Sequence, residues 1–267
     1  MSIQRPTSRT QRDTTPPKRY VFVLLDNFTM LCFSAALESL RIANRMAGEQ
    51  VYSWQIIGDG GDFAYCSAGT GFKLDGDLHD LTRDDVIMLC GGIDVQAATT
   101  KRLLGWLRRE VRKGVAVAGL CTAAYTLAKA GLLDGKKATI HWENQDSFAE
   151  EFPDVELTKS VFVIDGPRLT TAGGTSSIDL MLKLIADDHG EELANSVADQ
   201  LIYSSIRTDQ DTHSVCPCQR GLACATPSSV RSSRSWSRTS KTPSALRYWP
   251  RMSACLPDSS SVCFAVT

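Results

Sequence analysis

Three apolar runs limit what this chain can fold into more than any other feature. Tyr20–Leu25 (YVFVLL), Asp85–Cys90 (DVIMLC) and Val115–Leu120 (VAVAGL) lack the polar–apolar alternation of a half-exposed strand. Each suits a strand covered on both faces, the signature of a parallel sheet between two helix layers. The segments between them carry helical spacing instead. Met30–Arg45 is one; Thr99–Lys113 is another, with Leu103, Leu104, Leu107 and Val111 on one side and Lys101, Arg108, Arg109 and Arg112 on the other. Trp54–Ile57 reads as a second strand and Phe63–Leu74 as an irregular hairpin. Further on, Lys137–Ile140 is a short strand and Asn144–Phe152 a helix. Val161–Ile164 and Arg168–Thr171 are strands around an Asp165-Gly166-Pro167 turn, and Ser176–Asp188 and Glu191–Ile206 are helices. The alternation predicts an α/β fold: a mostly parallel sheet with helices on both faces.

The Val115–Leu120 run breaks at Cys121 and continues as a helix from Thr122, so a thiol sits at a strand-to-helix turn. Such a turn lifts its central side chain off the sheet, and the helix N-terminus favours a thiolate. Cys121 is therefore read as a nucleophile or pocket-lining thiol, against the alternative of a small buried hydrophobe. His141, just beyond the Lys137–Ile140 strand, is the candidate base; its alternative is a structural ring packed beside Trp142. Thr122 can bond a bound group or simply open the helix. Glu38 points to the pocket or pairs with Arg41. Gly91 and Gly92 end a strand and either present N–H groups to an anion or make a turn. Ligands in such sheets bind beyond the carboxyl ends of the strands, so Gly91, Gly92, Cys121 and His141, Trp142 and Glu143 are expected to line one pocket. His79, His189 and His213 stand in polar contexts. The Cys216-Pro217-Cys218 pair lacks a second pair at zinc-site distance, so no metal is expected.

The near-neutral total of 29 basic and 30 acidic residues hides two unlike parts. Residues 216–267 hold seven basic residues and one acid, leaving 22 basic and 29 acidic residues for the rest. Four of the nine cysteines (Cys32, Cys66, Cys90, Cys121) are scattered through the first part as free thiols would be in a reducing compartment, and five crowd the tail. No apolar run is long enough to span a membrane and no apolar h-region opens the chain, so a cytoplasmic protein is expected. Residues 1–19 read as a flexible arm, 20–210 as the folded domain, and 216–267, with its Pro, Ser and Arg repeats, as a disordered basic tail.

The segments LLDNFTMLCFSAALESLRIANR (residues 24–45), AGLCTAAYTLAKAGLLDGKKATIHWEN (118–144) and LTTAGGTSSIDLMLKLI (169–185) resemble the ThiJ/PfpI, class I glutamine-amidotransferase-like domain. More narrowly they resemble the sensor half of GlxA-type regulators in the AraC family, from about Tyr20 to Ile206. The resemblance implies a flavodoxin-like three-layer sandwich, usually a homodimer, joined at its C-terminal end to a helix-turn-helix DNA-binding domain. It also implies a small-molecule ligand of the amino acid, betaine or amine class. No cofactor is expected, and Glu38, Gly91, Gly92, Cys121, Thr122, His141, Trp142 and Glu143, read from their positions in the chain, stand as the ligand-binding candidates. PfpI-type hydrolases place His after the elbow cysteine, where this chain has Thr122. Isonitrile hydratase-like members use an acid where this chain reads Met30-Leu31-Cys32-Phe33. With that carboxylate missing, a ligand sensor is favoured over an enzyme; in an enzyme, Cys121 and His141 would be catalytic.

The tail begins where the DNA-binding domain should start. Shifted by one base, with permitted third bases, Val215–Pro227 can read LSLPARLGVRHP and Arg247–Thr267 can read VLAKDVSMSARQLERLFCRY. The second string resembles the first helix-turn-helix of AraC regulators. A frameshift near Val215 is the expectation that follows.

Overall fold

The computed structural model describes residues 16–212 and two short strands nearer the C-terminus. The chain divides into two units, Met1–His213 and Ser214–Thr267. In the second unit, β12 (Ala254–Leu256) pairs antiparallel with β13 (Val262–Phe264). The sequence reading had no strand there; the Ala-Cys-Leu and Val-Cys-Phe triplets flank a Pro- and Ser-rich connection, enough for a local hairpin. These two strands fall within Arg247–Thr267; the remainder of the tail reading, including the rest of the shifted-frame segments, and most of the N-terminal arm lie outside the described residues.

The first unit is built on one sheet of seven strands. β1 (Lys18–Leu24) lies between β2 (Tyr52–Gly58) and β6 (Val86–Cys90), and the order continues outward through β7 (Ala116–Leu120) to β11 (Arg168–Thr171) and β10 (Phe162–Asp165) on one side and to β5 (Gly76–Asp77) on the other. All pairs are parallel except β10 with β11, which turn about Gly166. The expected hairpin is β3 (Phe63–Tyr65) with β4 (Gly71–Lys73). A small pair, β8 (Lys137–Ala138) with β9 (Glu156–Leu157), stands beside the main sheet and was not foreseen as a pair.

The three apolar runs are double-sided, as their composition demands. Along β1, Tyr20, Phe22 and Leu24 enter one core layer while Val21, Val23 and Leu25 enter the other; along β6, Val86, Met88 and Cys90 oppose Ile87 and Leu89. The first layer is closed by α1 (Met30–Ala47), α6 (Ser176–His189) and α7 (Glu191–Gln200), the second by α3 (Lys101–Arg112), α4 (Ala124–Lys129) and α5 (Gln145–Glu151). Burying each large side chain contributes roughly 1.5–3 kcal/mol. Phe22, Phe28, Phe33 and Phe72 meet edge-to-face with centroids 5.4–5.7 Å apart, fixing the start of α1 against the sheet.

Two helices depart from expectation. A short α2 (Val95–Ala98) follows Asp94, whose left-handed backbone (φ 56°) hides it from pattern reading. α7 stops at Gln200 rather than running to Ile206. The reason is a buried carboxylate, Asp179, which accepts hydrogen bonds from Tyr203 Oη at 3.0 Å and from the Arg207 backbone N–H at 2.8 Å and guanidinium at 2.7 Å. Meeting it pulls residues after 200 out of helical register. Beyond, the chain returns to the sheet edge: Val161 N–H donates to Asp211 O at 2.9 Å, and Ser160 bridges Thr212.

Candidate functional site

Cys121 occupies a sharp turn. Leu120 is still extended (φ −93°, ψ 132°), Cys121 has φ +62°, and a single 3₁₀ turn over Cys121–Ala123 leads into α4. A left-handed conformation at a residue with a Cβ costs on the order of 1 kcal/mol and persists only when its surroundings enforce it. Two bonds do so here: Cys121 N–H donates to Thr171 Oγ1 at 3.3 Å, and Thr122 Oγ1 donates to Gly92 O at 2.7 Å. Gly92 has no room for a side chain, since a Cβ there would lie 2.0 Å from Asn27 O. The loops after β1, β6 and β7 therefore close on one another above the sheet.

They enclose a cavity of about 690 Å³. Asp26 and Asn27 border it after β1, Gly92–Ala98 after β6, Cys121, Thr122 and Tyr125 at the elbow, and Ile140, His141 and Glu143 after β8, with Ser147 and Glu151 from α5. Of the four described non-glycine residues with positive φ, three (Asn27, Asp94, Cys121) line it. Backbone strain concentrated at one cavity is a mark of a functional site. The lining holds four carboxylates (Asp26, Asp94, Glu143, Glu151) and no Lys or Arg. Two of the four have a partner: Glu151 accepts from Lys129 Nζ at 2.8 Å and Tyr125 Oη at 3.0 Å, chiefly the lysine holding its pKa below the usual range, and Glu143 Oε2 stands 3.6 Å from His141 Nδ1. The remaining field favours a cation.

The thiol forms the floor. Cys121 is 4% exposed, so the turn sets its thiol at the bottom of the cavity rather than on the surface. Its pKa is lowered, first by a hydrogen bond from the Cys32 thiol, against burial, and then by Thr29 Oγ1 at 3.7 Å and the Thr122 backbone N–H; the charge of Glu143 opposes them. Cys32 is pushed up by the same contact with Cys121 and by its burial, while its sulfur accepts from Gly174 N–H at 3.1 Å. The Met30–Phe33 segment, read as lacking a carboxylate, thus supplies a thiol donor. Thr29 and Cys32 lie three residues apart at the start of α1, and no local pattern ties them to a residue 89 or more positions later.

The structure brings Gly92, Cys121, Thr122, His141 and Glu143 together and leaves other expected residues aside. His141 Nδ1 stands 3.6 Å from Glu143 Oε2 at the cavity wall. Trp142 stacks at 38° on the His141 ring, with centroids 5.7 Å apart, and is not among the lining residues. Glu38 faces away, in a bidentate pair with Arg41 at 2.5 Å, because one turn of helix puts the two on the same exposed flank. Gly91 offers no free N–H to an anion, since that group donates to Leu120 O at 3.3 Å. Thr122 has its hydroxyl proton committed to Gly92 and is a positioning residue of the loop. Tyr125, Asp26 and Asp94 were missed; Asp26 and Asp94 follow strand ends, the signal that could have marked them. No helix among the described residues is long and apolar enough to cross a membrane.

The model of the DJ-1/PfpI family matches residues 18–187. The chain belongs to the DJ-1/PfpI family. Within it, the chain is 43% identical over 190 residues to the HTH-type transcriptional regulator CdhR of Pseudomonas aeruginosa, covering 71% of this chain and 56% of that protein. It is 35% identical over 211 residues to the HTH-type transcriptional regulator GbdR of the same species, covering 79% and 57%. A crystal structure of an AraC family transcriptional regulator from Pseudomonas putida superposes with a TM-score of 0.61 at 28% identity, covering 69% of this chain and all of that one. This DJ-1/PfpI chain therefore spans little more than half the length of the curated regulators it matches.

Proposed function

We propose that residues 20–210 form the ligand-sensing domain of an AraC-type transcriptional regulator, and that the cavity takes a small cationic or zwitterionic metabolite of the amino acid, betaine or amine class. The observation that carries this reading is the lining: Asp26 and Asp94 without a side-chain ion pair, with Glu143 and Tyr125 near the Cys121 floor and no Lys or Arg among the lining residues. An ammonium group gains from that field and from the tyrosine face. In the full regulator, the ligand shifts a homodimer between DNA-binding states by binding one better than the other.

A thermal-shift panel on the full chain tests it. A ligand at one hundred times its Kd adds about 2.7 kcal/mol, which raises Tm by roughly 5–10 °C at this size. Quaternary ammonium compounds and basic amino acids should give that rise, and dicarboxylates none. The opposite ranking would sink the proposal.

The strained elbow and acidic thiol favour a second reading, a cysteine-dependent hydrolase or hydratase. Turnover of isonitriles or amides that vanishes in Cys121→Ser would establish it. As to DNA, the shifted-frame reading of the tail implies that this chain has lost sequence-specific binding. Resequencing the gene decides that point, since stop codons in the alternate frame would end the idea.

A further inference from the structure

Thr175 stands at the N-cap of α6, where a hydroxyl ordinarily bonds the helix's own N–H groups, and it makes no such bond. Its Oγ1 accepts instead from Arg207 Nη2 at 2.8 Å. That nitrogen also donates to Asp179 Oδ2 at 2.7 Å and to Tyr203 Oη at 3.0 Å, so one guanidinium ties the first turn of α6 to the chain beyond α7. Residues 201–212 depend on such bonds, because none of them is buried. Ile202 is 91% exposed and left-handed at φ +53°, a conformation that its branched side chain resists. At the other end, Gly173 and Gly174 join Thr175 to the cavity floor. A Cβ on Gly173 would lie 2.9 Å from Cys121 Sγ, and Gly174 N–H donates to Cys32 Sγ at 3.1 Å.

We propose that residues 201–212 form a strap latched by Arg207, and that the Gly173–Thr175 turn sets the latch. Displacement of the cavity floor draws Thr175 away from the guanidinium and leaves the strained strap on the Asp179 pair alone, which loosens it. The geometry makes the response steep: a shift of about 0.8 Å along the Arg207–Thr175 bond lengthens it to about 3.6 Å, too long for a hydrogen bond. The strap ends the first unit, since the second begins at Ser214. A loosened strap therefore changes how firmly the outgoing chain is held. The coupling is reciprocal, so losing the latch also loosens the floor. This deepens the sensing proposal and rests on it only for what moves the floor; the test uses no ligand, so either can fail while the other stands.

The test is hydrogen exchange of the intact chain read by mass spectrometry. Gly173→Ala sets a carbon against Cys121 and shifts the turn; Gly114→Ala, at the similar φ of +97° with nothing within 4 Å of the added Cβ, places the same backbone strain elsewhere. Residues 202–210 should exchange about fivefold faster in Gly173→Ala and at the parent rate in Gly114→Ala, with β1 protected in both. Thr175→Val deletes the link and keeps the Asp179 pair: the strap should again exchange faster, adding Gly173→Ala should change that by less than about twofold, and Thr175→Ser should restore the parent rate. Iodoacetamide at fixed pH should alkylate Cys121 about threefold faster in Thr175→Val, the reciprocal effect. Strap exchange at the parent rate in Gly173→Ala, or an undiminished Gly173→Ala effect in the Thr175→Val background, would overturn the proposal. Should Gly173→Ala also speed exchange in β1, Thr175→Val decides alone, and parent-like strap exchange and Cys121 alkylation there would overturn it.

Discussion

Replacing Gly92 by alanine tests whether the three loops really close on one another. The added carbon would stand 2.0 Å from Asn27 O and 2.7 Å from Phe28 C and Thr29 N, all backbone atoms that no rotamer change can move aside. Reaching ordinary contact demands a retreat of roughly 1.5 Å. The Asn27–Thr29 segment is pinned against that retreat by Thr29 N–H to Gly91 O at 3.0 Å, Ile93 N–H to Asn27 O at 3.0 Å and Ser67 N–H to Phe28 O at 2.9 Å. Overpacking costs about 1–3 kcal/mol, and each backbone bond broken adds about 1 kcal/mol. Since these terms overlap, a loss near 3 kcal/mol is expected, or a Tm drop of roughly 6–12 °C. Gly105→Ala is the control, because its Cβ meets nothing within 4 Å in the exposed middle of α3. There the same change should stabilise by about 0.8 kcal/mol. Urea unfolding of both variants measures the two effects. A Gly92→Ala protein within about 0.5 kcal/mol of the parent, the scatter of ordinary surface changes, would refute the reasoning.

Other perturbations follow from the same geometry. Asp85 is buried, yet its pKa is lowered: burial pushes it up, and the Arg19 guanidinium at 2.7 Å and the Thr82 N–H and hydroxyl outweigh that. A depressed carboxylate stabilises the fold above its unfolded pKa and loses that contribution as pH falls through the folded value. Asp85→Asn should therefore cost about 2 kcal/mol at neutral pH, discounted for the half-exposed arginine, and the gap to the parent should narrow below about pH 4, read by urea titration across pH. Asp179→Ala leaves the Arg207 charge without its partner and should cost about 3 kcal/mol by calorimetry, with protease cleavage near residue 203 increased. Thr29→Val removes one donor from the Cys121 sulfur, so iodoacetamide alkylation of Cys121 should move to higher pH; an unchanged profile would count against the hydroxyl's role.

The double-sided strands were legible because burial on both faces leaves a plain trace, an apolar run with no polar beat. β1, β6 and β7 all carry it, and the elbow followed from where the third run breaks. What escaped reading depends on partners distant in sequence. Cys32 was weighed only as an absent acid, because a residue acquires a chemical role from what faces it, and Cys121 is 89 positions away. Glu38 had two possible neighbours, and only the rotation of α1 about its axis decides for Arg41. The end of α7 was misplaced because helical spacing persists to Ile206 while Asp179, in another helix, draws Tyr203 and Arg207 aside. Local propensity cannot register a competing long-range bond.

The return of the chain to the sheet edge after α7 gives the domain a lever. Gly173 rests against the Cys121 sulfur; its neighbour Ala172 donates its N–H to Val161 O at 2.8 Å, and Val161 N–H in turn grips Asp211 O at 2.9 Å. Two backbone hydrogen bonds thus separate the cavity floor from the point where the polypeptide leaves the first unit. Whatever displaces that floor pushes on a short linkage whose far end is the Asp211–Thr212 segment.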